Sequence, residues 1–480
     1  MREFDKGSLI LIAGATGYIG GHLLKALEKD GCRIRCLARK PDALQGKTGP
    51  GTEVVKGDIF GPLSLGAAFE GVHTAYYLIH SMAAKGDFVE KDRIAAKNFG
   101  DAASRAGVRR IIYLGGLSHS ARLSAHLRSR QETGRVLRES GIPVIEFRAS
   151  IIIGAGSISF EIMRGVTERV PIMAAAKWST TECQPIYIGD VIRYLVAALE
   201  KPYNESRIFE IGAPDVSCYV CLMQEYAKLR GLRRFTLPIP FLNPVLATYP
   251  LVILTPKLYR VGRWLIRGLG TRTVVEDNSA LEEFSIKPLS TIQAIETALA
   301  DEDREFAETS WSHVLVGVKR KPWGGFKFGN RYVDTYLTHF TCPPECAFRP
   351  IKCLGGETGW YCGATLRTIR GFVDLLAGGP GLRCCRPPCV DLTPGDIVDC
   401  WRVELFQPGG RLRFSSEMKV PGRAWLDFEV TPEGDGSSVR ITAIFDPKGI
   451  SGLAYWFSIY PFHSHIFRGM LREMAKKAKS

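Results

Sequence analysis

The sequence predicts an α/β protein: a doubly wound parallel sheet with a small C-terminal lobe, plus a separate α+β domain behind it. Three observations carry this. Six short, almost wholly apolar runs alternate with helical patterns over residues 1–150. Glycines at 14, 17 and 20 stand where the first run turns into the first helix. After a Gly- and Lys-rich stretch at 318–330, the rhythm changes to alternating strands closed by one aromatic-rich helix.

The first six strands are "LILIA" (9–13), "RIRCLA" (33–38), "TEVVKG" (52–57), "TAYYLI" (74–79), "RIIYLG" (110–115) and "PVIEFR" (143–148). Their continuous apolar character suits a parallel sheet covered on both faces. Helices are expected over 18–30, 87–106 and 124–140. From 151 to 317 the pattern loosens into a smaller lobe. That lobe has a strand, a cap at Asp190 and a helix in "CQPIYIGDVIRYLVAALEK" (183–201), a strand in "IFEIG" (208–212) and a helix near 219–230. Residues 318–330 read as a linker. Residues 331–480 read as strands, the last two joined by a Gly/Asp hairpin signal, and a closing helix over 450–477. That helix is apolar almost all round through Tyr455, Trp456, Phe457, Tyr460 and Phe462, which predicts near-complete burial, with a kink at Pro461.

A chain of 480 residues is too long for one ordinary core. Its 45% hydrophobic and 23% charged content is that of a soluble globular protein. The net charge of +14 comes from dispersed basic residues, which suits an anionic cofactor, acidic lipids or simply a solvated basic surface. No reading helix, RNP motif or basic–aromatic strip argues for nucleic acid. The N-terminal apolar run is too short for a signal peptide. The uncharged stretch 235–256 holds Pro238, Pro240, Pro244, Pro250 and Pro256, too many for a bilayer-spanning helix. A cytoplasmic protein is expected, with peripheral membrane contact and oligomeric state left open. Cys342, Cys346, Cys353, Cys362, Cys384, Cys385 and Cys389 cluster without the Cys-x-x-Cys pairs of structural zinc. Buried reduced thiols, with no metal, are the better reading.

The loop "GATGYIG" has a physical logic. A side chain at Gly14 would obstruct the tight turn. One at Gly17 would hold a pyrophosphate away from the helix N-terminus, and one at Gly20 would separate helix from strand. In its wording and Gly-x-x-Gly-x-x-Gly spacing this loop resembles the extended and atypical short-chain dehydrogenase/reductase superfamily. The likeness covers about residues 8–300. It includes "KGDI" with Asp58 and Ile59, "YLGGLS" with Ser118, and "QPIYIGDVIRYLVAAL". "AYYLIHSM", with Tyr76, Tyr77 and His80, and the domain order are similar to a bacterial group in which such a domain precedes a START/polyketide-cyclase-like helix-grip domain. The resemblance implies a Rossmann fold and a nicotinamide cofactor held by Gly14, Thr16, Gly17, Tyr18, Ile19, Gly20, Asp58, Ile59 and His80. It also implies an apolar cavity under the closing helix, for which a filled core is the alternative.

NAD-binding members carry an acid after the second strand. Here Arg39 and Lys40 occupy that place, with Arg35 earlier on the strand, and cations there suit the 2′-phosphate of NADP. The family's catalytic Tyr and Lys, four residues apart, correspond to His126 and Arg130, and its serine to Ser118. Leu123, Leu127, Arg130, Gly134 and Leu137 form an inward stripe in which Arg130 is the one charge, so it needs an anionic partner. A bound cofactor or a buried acid would each supply one. His126, titrating near neutrality, is the candidate proton donor. Two functions follow. One is an NADP-dependent oxidoreductase acting on an apolar carbonyl or alkene. The other is a non-enzymatic protein that senses NADP(H) or binds an apolar ligand.

Overall fold

The structure is a computed structural model. It describes residues 5, 7–82, 87–239, 241–249, 259–308, 323–355, 359–361, 374–375, 378–379, 381 and 392–479. The chain divides into two compact units, 1–302 and 303–480.

Unit 1 is built on a seven-stranded parallel sheet. Its strands are β1 (Leu9–Ala13), β2 (Ile34–Ala38), β3 (Glu53–Lys56), β4 (Val72–Tyr77), β5 (Arg110–Gly116), β6 (Val144–Ala149) and β7 (Arg207–Ile211). Their order is β7-β6-β5-β4-β1-β2-β3, so the connections reverse direction between β1 and β4. Crossover helices cover both faces: α1 (Tyr18–Lys29), α2 (Phe88–Arg105) and α3 (Ala125–Arg138). Ile10 and Ile12 pack with Leu23, Leu24 and Leu27 of α1 on one side, while Leu9, Leu11 and Ala13 share a cluster with Phe99 on the other. This two-sided burial is why the strands are apolar at every position. The strand expected at 208–212 in the smaller lobe extends the main sheet instead, pairing in parallel with β6. Helix α5 (Ile188–Ala197) packs in the same cluster as β1 and α1, and helices α4 (Ile158–Arg169) and α6 (Tyr259–Gly268) belong to the same unit.

The apolar stretch 235–256 forms the strand Phe235–Pro238 and a 3-10 turn at Leu246–Thr248, and its remainder from 250 lies outside the described residues. Among the described residues no helix is long and apolar enough to cross a membrane. Cys218 and Cys221, a Cys-x-x-Cys pair not singled out in the sequence, are joined by a disulfide. Cys342 and Cys346 are free thiols, Cys346 is exposed rather than buried, and Cys353 is disulfide-bonded rather than reduced. Cys362, Cys384, Cys385 and Cys389 lie outside the described residues.

Unit 2 is a seven-stranded antiparallel sheet. Its strands are β8 (Phe326–Phe328), β9 (Arg331–Phe340), β10 (Ile397–Val398), β11 (Trp401–Gln407), β12 (Arg411–Ser416), β13 (Gly422–Glu433) and β14 (Gly436–Pro447), in the order β8-β9-β14-β13-β12-β11-β10. The expected hairpin joins β13 and β14 at Glu433 and Gly436. Helix α7 (Gly449–Lys477) runs through Pro461 as one element. It buries one stripe, not its whole surface: Trp456, Tyr460, His463, Phe467, Met470 and Met474 face inward, while Phe462 is 50% exposed. Along the stripe, Phe467, Met470 and Met474 share a cluster with the sheet side chains Tyr336, Phe428 and Ile441, and Trp456 and Tyr460 pack with Phe445.

Candidate functional site

The first turn after β1 behaves as its glycines require. Gly14 has φ +105°, a left-handed conformation that disfavours a side chain, and a Cβ there would lie 2.7 Å from the carbonyl oxygen of Leu78. A Cβ on Gly20 would collide with the Gly14 carbonyl, so glycine lets α1 seat directly on the turn. Gly17 stands at the N-cap of α1 and, having no side chain, makes no side-chain cap hydrogen bond. Gly17, Tyr18, Ile19 and Gly20 open instead onto a cavity of about 260 Å³. An uncapped helix N-terminus at the carboxyl end of a parallel sheet is an anion site in waiting. Thr16 is exposed at the tip of the turn.

Arg39 and Lys40 are exposed just beyond β2. Arg35 is not available beside them. Its guanidinium bonds Glu53 on the neighbouring strand at 2.8 Å and the Glu70 carbonyl at 2.7 Å, so it fastens the sheet edge. Asp58 accepts the Phe60 N–H at 3.1 Å, within a loop that Ser64 braces through the Asp58 N–H at 2.9 Å. Ile59 turns into the core, and its carbonyl accepts from Asn98 at 2.9 Å.

Helix α3 supplies the centre of the cavity. Ser124 caps it through the Leu127 N–H, and Leu127, Gly134 and Leu137 are buried as the stripe predicted. A Cβ on Gly134 would strike Glu146, so this glycine admits a buried carboxylate from β6. That carboxylate is already held by Arg138 and Arg148. Asp92, the other buried acid nearby, takes the Ser81 N–H at 2.7 Å and the Ser129 hydroxyl at 2.8 Å. Arg130 pairs with neither. Its guanidinium lies 5.6 Å over the Tyr113 ring and lines the cavity, and its Nη1 is buried with no hydrogen-bond partner among the described residues.

His126 and His80 also line the cavity. The Nδ1 of His126 is buried, with no hydrogen-bond partner among the described residues. Burial, then the charge of Arg130, push His126 down to about 3, and the same two causes push His80 down to about 4. Both imidazoles are therefore neutral at pH 7. This corrects the expectation of a histidine titrating near neutrality: His126 can donate or accept a hydrogen bond but holds no acid proton to give.

Ser118 does not reach the cavity. Its hydroxyl donates to the Arg272 carbonyl at 3.0 Å and accepts the Ser120 N–H at 3.2 Å, bracing two loops. Tyr76 and Tyr77 are core residues with no exposed surface, and the Tyr76 hydroxyl donates to the Leu195 carbonyl. The hydroxyls that do face the cavity include Ser150, after β6, and Thr273, 2.6 Å apart. Beyond them the wall is apolar, formed by Ile158 and Ile162 of α4, Leu265 and Ile266 of α6, and Leu269. Among the described residues no carboxylate lines the cavity. Sequence spacing could not find Ser150 and Thr273, which stand 123 residues apart.

Comparison with known proteins bears on the fold. Residues 6–159 match the NmrA-like family, and residues 329–470 match a family described as protein of unknown function (DUF2867). The chain is 27% identical over 202 residues to a ceramide reductase of Caulobacter vibrioides, spanning 41% of this chain and 63% of that protein. It is 29% identical over 107 residues to sterol demethylase protein B of Methylococcus capsulatus, spanning 22% of this chain and 33% of that one. It thus matches less than two thirds of the length of either. Among solved structures, the triphenylmethane reductase of Citrobacter sp. complexed with NADP(H) is similar, with a TM-score of 0.51 at 17% identity over 60% of this chain and 99% of that one. So is an NADPH-dependent quinone oxidoreductase from Escherichia coli, with a TM-score of 0.50 at 19% identity over 60% of this chain and 99% of that one. The residues that match the NmrA-like model thus lie in the unit with the parallel sheet, and those that match the DUF2867 model in the unit with the antiparallel sheet.

Proposed function

We propose that the protein binds NADP(H) and works as an oxidoreductase on an apolar carbonyl or alkene. One observation carries this reading: Arg130, a half-buried guanidinium whose Nη1 is buried without a hydrogen-bond partner among the described residues, shares a cavity with a glycine-rich helix N-terminus. Both features are costly without an anion and are satisfied together by a dinucleotide. The residues fit that cofactor. Gly14, Thr16, Gly17, Tyr18, Ile19 and Gly20 would cradle the pyrophosphate. Arg39 and Lys40 would meet the 2′-phosphate, with Asp58 and Ile59 beside the adenine. Arg130 would take the nicotinamide ribose or its phosphate in place of the usual lysine, with His80 nearby. Bound NADPH would supply a hydride. The Ser150–Thr273 hydroxyl pair would hold the substrate's polar atom, neutral His126 would orient it through a hydrogen bond, and the α4–α6 wall would exclude water from its apolar part. Residues 151–317 serve in this reading as the substrate lobe, and unit 2 as a helix-grip domain. A cytoplasmic location goes with it.

A second reading has one observation behind it. With His126 neutral and no tyrosine at its position, the proton donor usual at that place is missing, which suits a protein that senses NADP(H) or carries an apolar ligand without turnover. Fluorescence titration with NADPH and NADH, followed by NADPH consumption assays with long-chain ketones and enones, separates the two. Binding with consumption supports the enzyme, and binding without it supports the sensor. No binding of either cofactor removes both.

A further inference from the structure

The surface beside the cavity's apolar end is itself apolar. The strands Ile172–Ala175 and Phe235–Pro238 pair in parallel and set Phe235 beside Ile172. The following chain adds Phe241, Leu246 and Tyr249. Phe241 is 96% exposed, Phe235 71%, and Ile172, Leu237, Leu246 and Tyr249 are each more than half exposed. So many large apolar side chains in one place mark a surface that meets something.

This patch and the cavity wall are one piece of structure. Helix α6 packs against the turn Leu246–Thr248, and its Leu265 and Ile266 line the cavity. Trp178 packs in the same cluster as Ile162 and Ile266, and its indole N–H donates to the Leu242 carbonyl at 2.9 Å.

The rim is basic. Arg263 and Arg267 lie 5.6 and 5.4 Å over the Trp264 ring, and neither forms an ion pair among the described residues. Lys177 and Arg233 are exposed. Residues 226–275 contain no Asp or Glu at all. Apolar side chains ringed by cations fit a bilayer with anionic headgroups, where the rings enter the acyl boundary and the arginines meet the phosphates. A second copy of the chain fits less well, because a self-complementary contact would bring like charges together.

We propose that this face docks the protein on an anionic lipid surface, so that an apolar, lipid-like substrate enters the cavity along the α4–α6 wall. The docking stands on the patch itself. The entry of a substrate rests on the reading of the cavity given above.

The test is co-sedimentation of the full chain with vesicles of phosphatidylcholine alone and of equimolar phosphatidylcholine and phosphatidylglycerol. Binding is expected to the anionic vesicles and to weaken in high salt. Arg263→Gln with Arg267→Gln should weaken it on the order of twentyfold. Phe241→Ser with Leu246→Ser should weaken it at both low and high salt. NADPH titration of the same variants should match the parent, which keeps docking separate from cofactor binding. Absence of vesicle binding overturns the proposal, as does binding that neither double variant weakens. If sedimentation velocity shows an oligomer that the Phe241→Ser, Leu246→Ser variant dissociates, while vesicles go unbound, the face belongs to a second copy.

Discussion

Arg413 in unit 2 and Arg130 in unit 1 are both drawn out of water, and they are answered differently. Arg413 is 2% exposed and bonds the fully buried Asp427 at 2.9 Å, and Arg411 bonds the same carboxylate at 2.7 Å. A buried cation in a structural sheet is thus matched by an acid on the next strand. Arg130 has Glu146 and Asp92 within its own unit, but both are engaged by other groups. The difference teaches where to look for a ligand. A fold that neutralises its buried charges elsewhere leaves one open where something else brings the counter-charge.

That contrast can be broken at several points. The largest effect is expected at Asp427. Asp427→Ala removes the buried carboxylate that Arg411 and Arg413 share, leaving Glu429 beside Arg411, and should destabilise unit 2 by about 3–5 kcal/mol. Thermal unfolding should report this while NADPH titration of the intact variant stays near the parent. Next, Arg39→Ala should weaken NADPH by about 1.5–3 kcal/mol and leave NADH nearly unchanged, as for a lost charged hydrogen bond. Equal losses for both cofactors would mean that Arg39 does not meet the 2′-phosphate.

The pH response is of similar size, and its sign follows from burial. His126 is held neutral in the folded chain down to about pH 3 but protonates near 6.5 when unfolded. Between these values the unfolded state binds more protons, so stability falls as pH drops below about 6.5. At pH 5 the loss from this residue is about 2 kcal/mol at most, and His80 acts in the same direction. His126→Phe should flatten the decline of the melting temperature between pH 7 and 5. An unchanged slope would show that His126 is solvated. The smallest effect is expected at Ser118. Ser118→Ala should lower stability by about 1 kcal/mol, the worth of a loop hydrogen bond, without altering NADPH affinity. A loss of turnover at undiminished stability would return Ser118 to the site.

The parts of the site legible in the sequence are those set by local geometry. The demands on Gly14 and Gly20 are met within one turn of chain, so three glycines at fixed spacing announce them. The stripe on α3 is likewise periodic, and it identified Arg130 as the charge needing a partner. What remained hidden depends on contacts distant in sequence. The Ser118 hydroxyl is claimed by a carbonyl 154 residues away, so its position after β5 was right and its direction was not. Arg35 faces Glu53 only because β2 and β3 lie side by side. The proton state of His126 is decided by its burial and by Arg130 and His80 together. The closing helix shows the same limit. Its composition is apolar all round, but only one stripe meets the sheet, leaving Phe462 half exposed.

Arg130→Met tests the central claim most directly, measured as NADPH affinity and apo-protein stability on one preparation, with Arg413→Met alongside. If Arg130 is kept for an anion, its loss should weaken NADPH by about 1.5–3 kcal/mol and leave apo stability within about 0.5 kcal/mol of the parent. Arg413→Met should instead destabilise the fold by about 3–5 kcal/mol and leave NADPH binding intact. An Arg130→Met protein that binds NADPH like the parent, or that loses stability as Arg413→Met does, would contradict the account.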